Sequence, residues 1–263
     1  MTAVDFITIL FCRIDEELGH LPKHSQGRLH PSEIVTLAMM YALKGVGQRP
    51  FYRWLVANHA ALFPELPTRT RLFRAFNVYR VHAEEFLAAP SLLGVIDSYG
   101  IELIHPRREG RSEQQIGKKG KSNHRWIVGG KLCFVIHHLG QIVDWDCDTA
   151  NVYDGSAFQR LVDKFRDNMV IFSDAGWEKA DWHPTNLRIC QRGEWNVRMV
   201  VETVLSMLTR ICRIKHMAHF SWQYFETHLC YTLCLFNLLL ELQGLQPDES
   251  GFVKLSIAGF DIF

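Results

Sequence analysis

One short pattern occurs twice in this chain. Leu92-Leu93-Gly94-Val95-Ile96 runs without interruption into Asp97-Ser98, and Met169-Val170-Ile171-Phe172 runs through Ser173 into Asp174. A continuous apolar run of this length reads as a strand buried on both faces. A carboxylate at its exit costs desolvation unless a cation or hydrogen-bond donors reach it. Two buried strands that both end in Asp therefore direct the search to a shared cation and a third carboxylate. They also set the expected class, α/β with strands buried between helices.

Hydrophobic residues make up 48% of the 263 residues, ample for one large domain or a core domain with an appendage. A net charge of +1 implies no globally anionic partner, so local clusters must carry any such argument. The seven cysteines contain no Cys-x-x-Cys pair and are odd in number. A disulfide framework is not expected; reduced, mostly buried thiols in a cytoplasmic protein are. The first residues lack the basic segment and cleavage site of a signal peptide. The apolar stretch 229–240 is too short to cross a bilayer and reads as a buried helix, so no membrane association is expected.

Residues 4–18 place Val4, Ile7, Phe11, Ile14 and Leu18 on one helical face. Ser32 is the expected N-cap of the next helix, with Glu33 in its first turn, and Gly45 and Gly47 stop it. A short helix is predicted after Pro50. Another follows Thr68 or Thr70, with Leu72, Phe73 and Phe76 inward and Arg69, Arg71, Arg74 and Arg80 on or beside it. Short helices with clustered Arg fit a helix-turn-helix-like DNA reader, with Arg71 and Arg74 as contacts. A solvated basic face on an ordinary helical region fits them as well.

Between 107 and 131 the composition turns basic: Arg107, Arg108, Arg111, Lys118, Lys119, Lys121, Arg125 and Lys131 stand against Glu109 and Glu113. Gly110, Gly117 and Gly120 make a pliable loop the expectation. Such a loop suits a phosphate backbone, where neutralised charges release counterions, although a solvated loop has the same composition. Gly120-Lys121-Ser122 is not a phosphate-binding P-loop, because Gln115 stands where that motif needs Gly. Two strands are predicted near 126–137 and 141–147. Asp144, Asp146 and Asp148 alternate along the second as the polar face of a half-exposed strand. They do not begin an EF-hand, since Thr149 and Gly155 replace its Gly and Glu. A crossover helix is expected over 154–165, a short strand near 187–190, and helices from 196 and over 222–243.

Arg198 and Glu202 stand four apart on the first of these late helices. They can be a surface pair and nothing more. Alternatively, Glu202 completes a set with Asp97 and Asp174. Hard divalent cations such as Mg²⁺ take oxygen ligands, and two of them clamp a phosphodiester between attacking and leaving oxygens.

These residues resemble the DDE transposases of bacterial insertion sequences, which are built on the RNase H-like fold. The resemblance covers about residues 90–240, with a weaker helical match before it. Its carriers are Val95-Ile96-Asp97-Ser98, Ala150-Asn151-Val152-Tyr153-Asp154, Phe172-Ser173-Asp174-Ala175-Gly176 and Arg198-Met199-Val200-Val201-Glu202-Thr203-Val204. It implies that Asp97, Asp174 and Glu202 are catalytic and ligate two Mg²⁺ or Mn²⁺ ions, with Asp97 shared. A common form of the last motif has Tyr and Lys where this chain has Trp195 and Thr209; Arg210 or Arg213 would have to replace the cation.

The resulting expectation is an RNase H-like mixed sheet flanked by helices over 91–245. It is preceded by a small all-α, helix-turn-helix-like DNA-binding region over 1–90 and followed by a tail over 246–263. The expected function is cutting and joining double-stranded DNA at element ends, as a homodimer on DNA in the nucleoid. Arg71, Arg74, Arg107, Arg108, Lys118, Lys119, Lys121, Arg125 and Arg198 are the expected DNA contacts. The alternatives are an inactive DNA-binding remnant and a non-transposing nuclease of the same fold.

Overall fold

The computed structural model describes residues 2–122, 125–191, 198–217 and 219–244, with the backbone alone at Arg198 and Met199. Trp195 and the expected tail over 246–263 lie outside the described residues.

Helix α1 (Ala3–Leu18) opens with a reciprocal cap: Asp5 N donates to Thr2 Oγ1 at 3.1 Å and Thr2 N donates to Asp5 Oδ2 at 2.8 Å. Its buried stripe is Phe6, Ile7, Leu10, Ile14 and Leu18, rotated from the predicted one, so that Val4 is exposed and Phe11 half-buried. Both stripes have helical spacing, and packing against α2 (Pro31–Lys44) selects the one with Phe6 and Leu10. The cap of α2 is His30, not Ser32. Pro31 lacks an N–H and has its φ fixed, which suits the first helical position and moves the cap back by two residues. His30 N then donates to Glu33 Oε2 at 2.6 Å. Gly45, at φ +57°, ends the helix in the left-handed region. Helix α3 (Gln48–His59) starts two residues before Pro50, in a first turn whose N–H groups have no helical partner. Helix α4 (Arg69–Ala83) buries Leu72, Phe73 and Phe76 as predicted.

The sheet contains β1 (Leu93–Ile104), β2 (Lys118–Ser122), β3 (Arg125–His137), β4 (Ile142–Thr149), β5 (Val170–Ser173) and β6 (Leu187–Ile189). Strand β3 pairs antiparallel with β1 on one side, while β2 and β4 share its other side. Beyond β1 lie β5 and then β6, both parallel. The sheet is therefore mixed, as expected for the α/β class.

Two features depart from the sequence reading. Strand β1 continues to Ile104, well past Ser98, because β3 supplies an antiparallel ladder down to Ile104↔Val128. The segment 118–122, read as pliable loop, is strand β2. Its single glycine serves close approach rather than flexibility. A Cβ on Gly120 would lie 1.8 Å from Ala150 O, as one on Gly129 of the neighbouring β3 would lie 2.0 Å from Ile101 O.

Between β4 and β5 the predicted single crossover helix is two short ones, α5 (Asp154–Ala157) and α6 (Gln159–Asp163), broken at the buried Phe158. Helices α7 (Arg198–Arg210) and α8 (Trp222–Gln243) complete the described chain.

Alternation along the strands divides the interior into two cores. Val95, Ile101, Leu132, Phe134 and Ile136 face α7, α8 and the N-terminal helices. Ile96, Cys133, Val135 and Val143 face the crossover, against Leu161, Val162 and Phe165. The first core runs across residue 90. Tyr231 of α8 donates to Phe76 O at 2.9 Å. Asn237, fully buried, donates to Phe86 O and Ile142 O at 3.0 and 2.8 Å and accepts from Ile142 N at 2.8 Å. Among the described residues, no helix is long and apolar enough to cross a membrane.

Candidate active site

Parallel pairing of β1 with β5 runs Leu93↔Val170, Gly94↔Ile171 and Val95↔Phe172. Asp97 and Asp174 each stand two residues beyond the last pair. Asp97 is therefore inside a long strand, not at the strand end that the sequence predicts. It sits where β1 parts from β5, and the parting opens a cleft between the two carboxylates. Alternation puts Asp97 on the face of Val95 and Ile101, the face that α7 covers through Val201, Val204 and Leu208. Glu202, next to Val201, borders the same space. A cavity of about 220 Å³ is lined by Val95, Ile96, Asp97, Ser98, Tyr99, Ser122, Asp174, Val201, Glu202 and Leu205. The structure thus brings the three predicted carboxylates to one cavity.

Asp97 is half-buried, and its Oδ1 accepts from Ser98 N at 2.7 Å. Asp174 is exposed; its Oδ1 accepts from Gly176 N at 2.9 Å and caps the turn 175–177. Glu202 is exposed at the cavity wall. Among the described residues, no three His, Cys, Asp or Glu side chains converge closely enough to hold a metal ion. In kind, the donors are oxygens only, which suits Mg²⁺ or Mn²⁺ rather than softer metals. The aspartates of β4 are not part of this cavity. Asp144 pairs with Lys164 at 2.5 Å, and burial raises the carboxyl pKa of Asp146.

The predicted DNA contacts are scattered over several elements. Arg71 and Arg74 are exposed on α4, whereas Arg80 is tied to Glu226 of α8 at 3.3 Å. Arg107 and Arg108 are exposed on the turn after β1. Lys118, Lys119 and Lys121 are exposed on β2, and Lys119 is paired with Glu109 at 2.9 Å. Arg125 is exposed and lies 3.7 Å from Glu102. The side chain of Arg198 is outside the described residues. Thr209 donates back to Leu205 O and Ser206 O, and Arg213 donates to Lys44 O at 3.2 Å, while Arg210 at the end of α7 is exposed.

Sequence reasoning gave four residues beside the cavity, Ser98, Lys131, Tyr153 and Asp154, no role in building it. Asp154 accepts from Ser98 Oγ at 2.7 Å and from Lys131 Nζ at 2.6 Å. Tyr153 donates to Gly176 O at 2.5 Å, just after Asp174. Tyr153-Asp154 stood among the residues that carried the resemblance. Lys131 had been counted as part of a basic loop, and only the register of β3 turns it inward.

Residues 88–183, less than half of the chain, match the family model described as Transposase DDE domain. The match includes Asp97 and Asp174 and stops short of Glu202. It supports a DDE transposase, a polynucleotidyl transferase or endonuclease, with DNA as its partner. No curated protein matches the chain.

Proposed function

We propose that this chain is the transposase of an insertion sequence, cutting and joining DNA at element ends through Asp97, Asp174 and Glu202. The observation that carries this reading is the shared cavity: two carboxylates in register on parallel strands, and a third from the helix that covers them. An RNase H-like fold is supported by the run of antiparallel β4, β3 and β1 followed by parallel β5 and β6. DNA recognition is assigned to residues 1–90 and catalysis to 91–245.

Asp97, Asp174 and Glu202 would hold Mg²⁺ or Mn²⁺. Asp174 and Glu202 are exposed and line the same cavity as Asp97. Bound there, the cations would activate the attacking oxygen and stabilise the leaving one. The chain's own residues orient the DNA. Lys118 and Lys121 on β2 face solvent and neutralise phosphate, while Ser122 at the cavity wall offers a hydroxyl to the strand entering it. Val95, Val201 and Leu205 make the apolar part of the wall and limit water beside the scissile bond.

The test is strand cleavage by the full chain of a labelled duplex carrying the inverted repeats that flank its coding DNA. Cleavage that needs Mg²⁺ or Mn²⁺ and stops with EDTA is the expected result. A chain that binds these ends but never cuts them, whatever the cation, is the inactive remnant; cutting without preference for the ends marks a nuclease.

A further inference from the structure

We infer that Tyr153 and Asp154 are positioning residues that set the spacing between Asp97 and Asp174. The inference rests on the proposed function of that site. Lys131, on β3, donates from Nζ to Val152 O at 2.7 Å and to Asp154 Oδ1 at 2.6 Å. Both neighbours of Tyr153 are thereby clamped to the centre of the sheet.

From this clamp two arms reach the two aspartates. On one side, Asp154 Oδ2 accepts from Ser98 Oγ at 2.7 Å, and Ser98 N donates to Asp97 Oδ1. On the other, the Tyr153 hydroxyl donates to Gly176 O at 2.5 Å and accepts from Lys179 N at 3.0 Å. Gly176 N in turn donates to Asp174 Oδ1. One dipeptide thus connects the residue after Asp97 with the turn that holds Asp174. A Cβ on Gly155 would come within 2.9 Å of the Tyr153 ring, so glycine there lets the ring lie close against the backbone.

The linkage is stiff for physical reasons. The Lys131–Asp154 pair is largely withdrawn from water, its side chains 13% and 24% exposed, so it is less screened than a surface pair. Asp154 uses both oxygens, and the Tyr153 hydroxyl donates once and accepts once. Carboxylates that share a cation lose affinity when their separation is free to vary, and groups that orient such ligands commonly contribute about 10–100-fold. A fixed spacing matters here because pairing of β1 with β5 has already ended before either Asp.

Tyr153→Phe removes only the hydroxyl of a partly exposed ring, so it should fold. The full chain is titrated with Mn²⁺, reading the metal-induced shift of the melting midpoint and, separately, nicking of end DNA. In Tyr153→Phe we expect an unchanged midpoint without metal and about a tenfold or greater rise in the Mn²⁺ concentration giving half the shift. Nicking should fall at limiting Mn²⁺ and recover at saturating Mn²⁺. Asp154→Asn, which keeps an acceptor for Ser98 but loses the charge facing Lys131, should move in the same direction. Variants that lower the metal-free midpoint yet titrate like wild type would make both residues merely structural and overturn the inference. Wild type that neither responds to Mn²⁺ nor nicks would overturn the reading of the site itself, and the inference with it.

Discussion

Asp97 and Asp174 hold corresponding positions on neighbouring parallel strands, each two residues past the last paired residues, Val95 and Phe172. Side chains two residues along a strand return to the same face, so one register fixes both carboxylates on the side that α7 covers. The site therefore depends on strand pairing before it depends on any cation. A one-residue slip of β5 would send Asp174 to the crossover face.

The close approach at Gly120 gives a sharp test of the sheet. A Cβ there would meet the carbonyl of Ala150 at 1.8 Å, a backbone atom that cannot swing away. Gly120→Ala should cost at least about 2 kcal/mol in urea unfolding, the scale of an overpacked core site. Gly110→Ala, at a loop position with nothing within 4 Å but with φ +72°, should cost less, about 1 kcal/mol. Equal midpoints for Gly120→Ala and wild type would contradict the pairing of β2.

The basic residues separate into those tied within the fold and those facing solvent. Ala substitution at Lys118 and Lys121 on β2, or at Arg71 and Arg74 on α4, should weaken DNA binding and reduce the salt slope by about one per lost phosphate contact. Arg80→Ala should instead lower stability, because Arg80 braces α4 against Glu226. Titration of the full chain with duplex at several salt concentrations, beside thermal melts, distinguishes these effects. An unchanged slope in the β2 pair would return it to a solvated face.

A buried histidine pair makes stability depend on pH. His219 Nε2 and His228 Nδ1 are 2.7 Å apart. Burial pushes His219 down to about 4 and His228 down to about 3 from 6.5, the latter helped by its neighbour. Both bind protons more readily when unfolded, so stability is full above pH 6.5 and is lost as the pH falls from there toward 3. The loss at pH 5 should be on the order of 2 kcal/mol per ring, before most carboxylates titrate. Urea midpoints at pH 7.5, 6 and 5 measure it. A flat profile would mean that the pair is not buried as described.

Much of the fold was legible because it depends on local pattern. The apolar runs before Asp97 and Asp174, and the apolar period of 222–243, each match an observed element, although Leu92 and Leu93 are exposed rather than buried as expected. Less local features were not legible. The stripe of α1 had two helical solutions, and only α2 decides between them. Gly120 looked pliable because its close neighbour, Ala150, is distant in sequence. The three carboxylates singled out in the sequence line one cavity. Asp97 was misread as a strand end because the ladder to β3, which prolongs β1, is a long-range pairing. Tyr153, Asp154 and Ser98 had no assigned role, and Lys131 only one in a basic loop, because their contacts exist only once β1, β3 and the crossover are assembled.

The most direct test of the account is one substitution at the half-buried carboxylate. Asp97→Asn keeps the volume of the side chain and its acceptor for Ser98 N while removing the charge that a divalent cation requires. The measurement is Mg²⁺-dependent nicking of labelled end DNA by wild type and Asp97→Asn, with DNA binding measured in parallel. The account predicts that nicking falls by at least about a hundredfold while DNA affinity and the melting midpoint stay near wild type. Nicking by Asp97→Asn at the wild-type rate would contradict it.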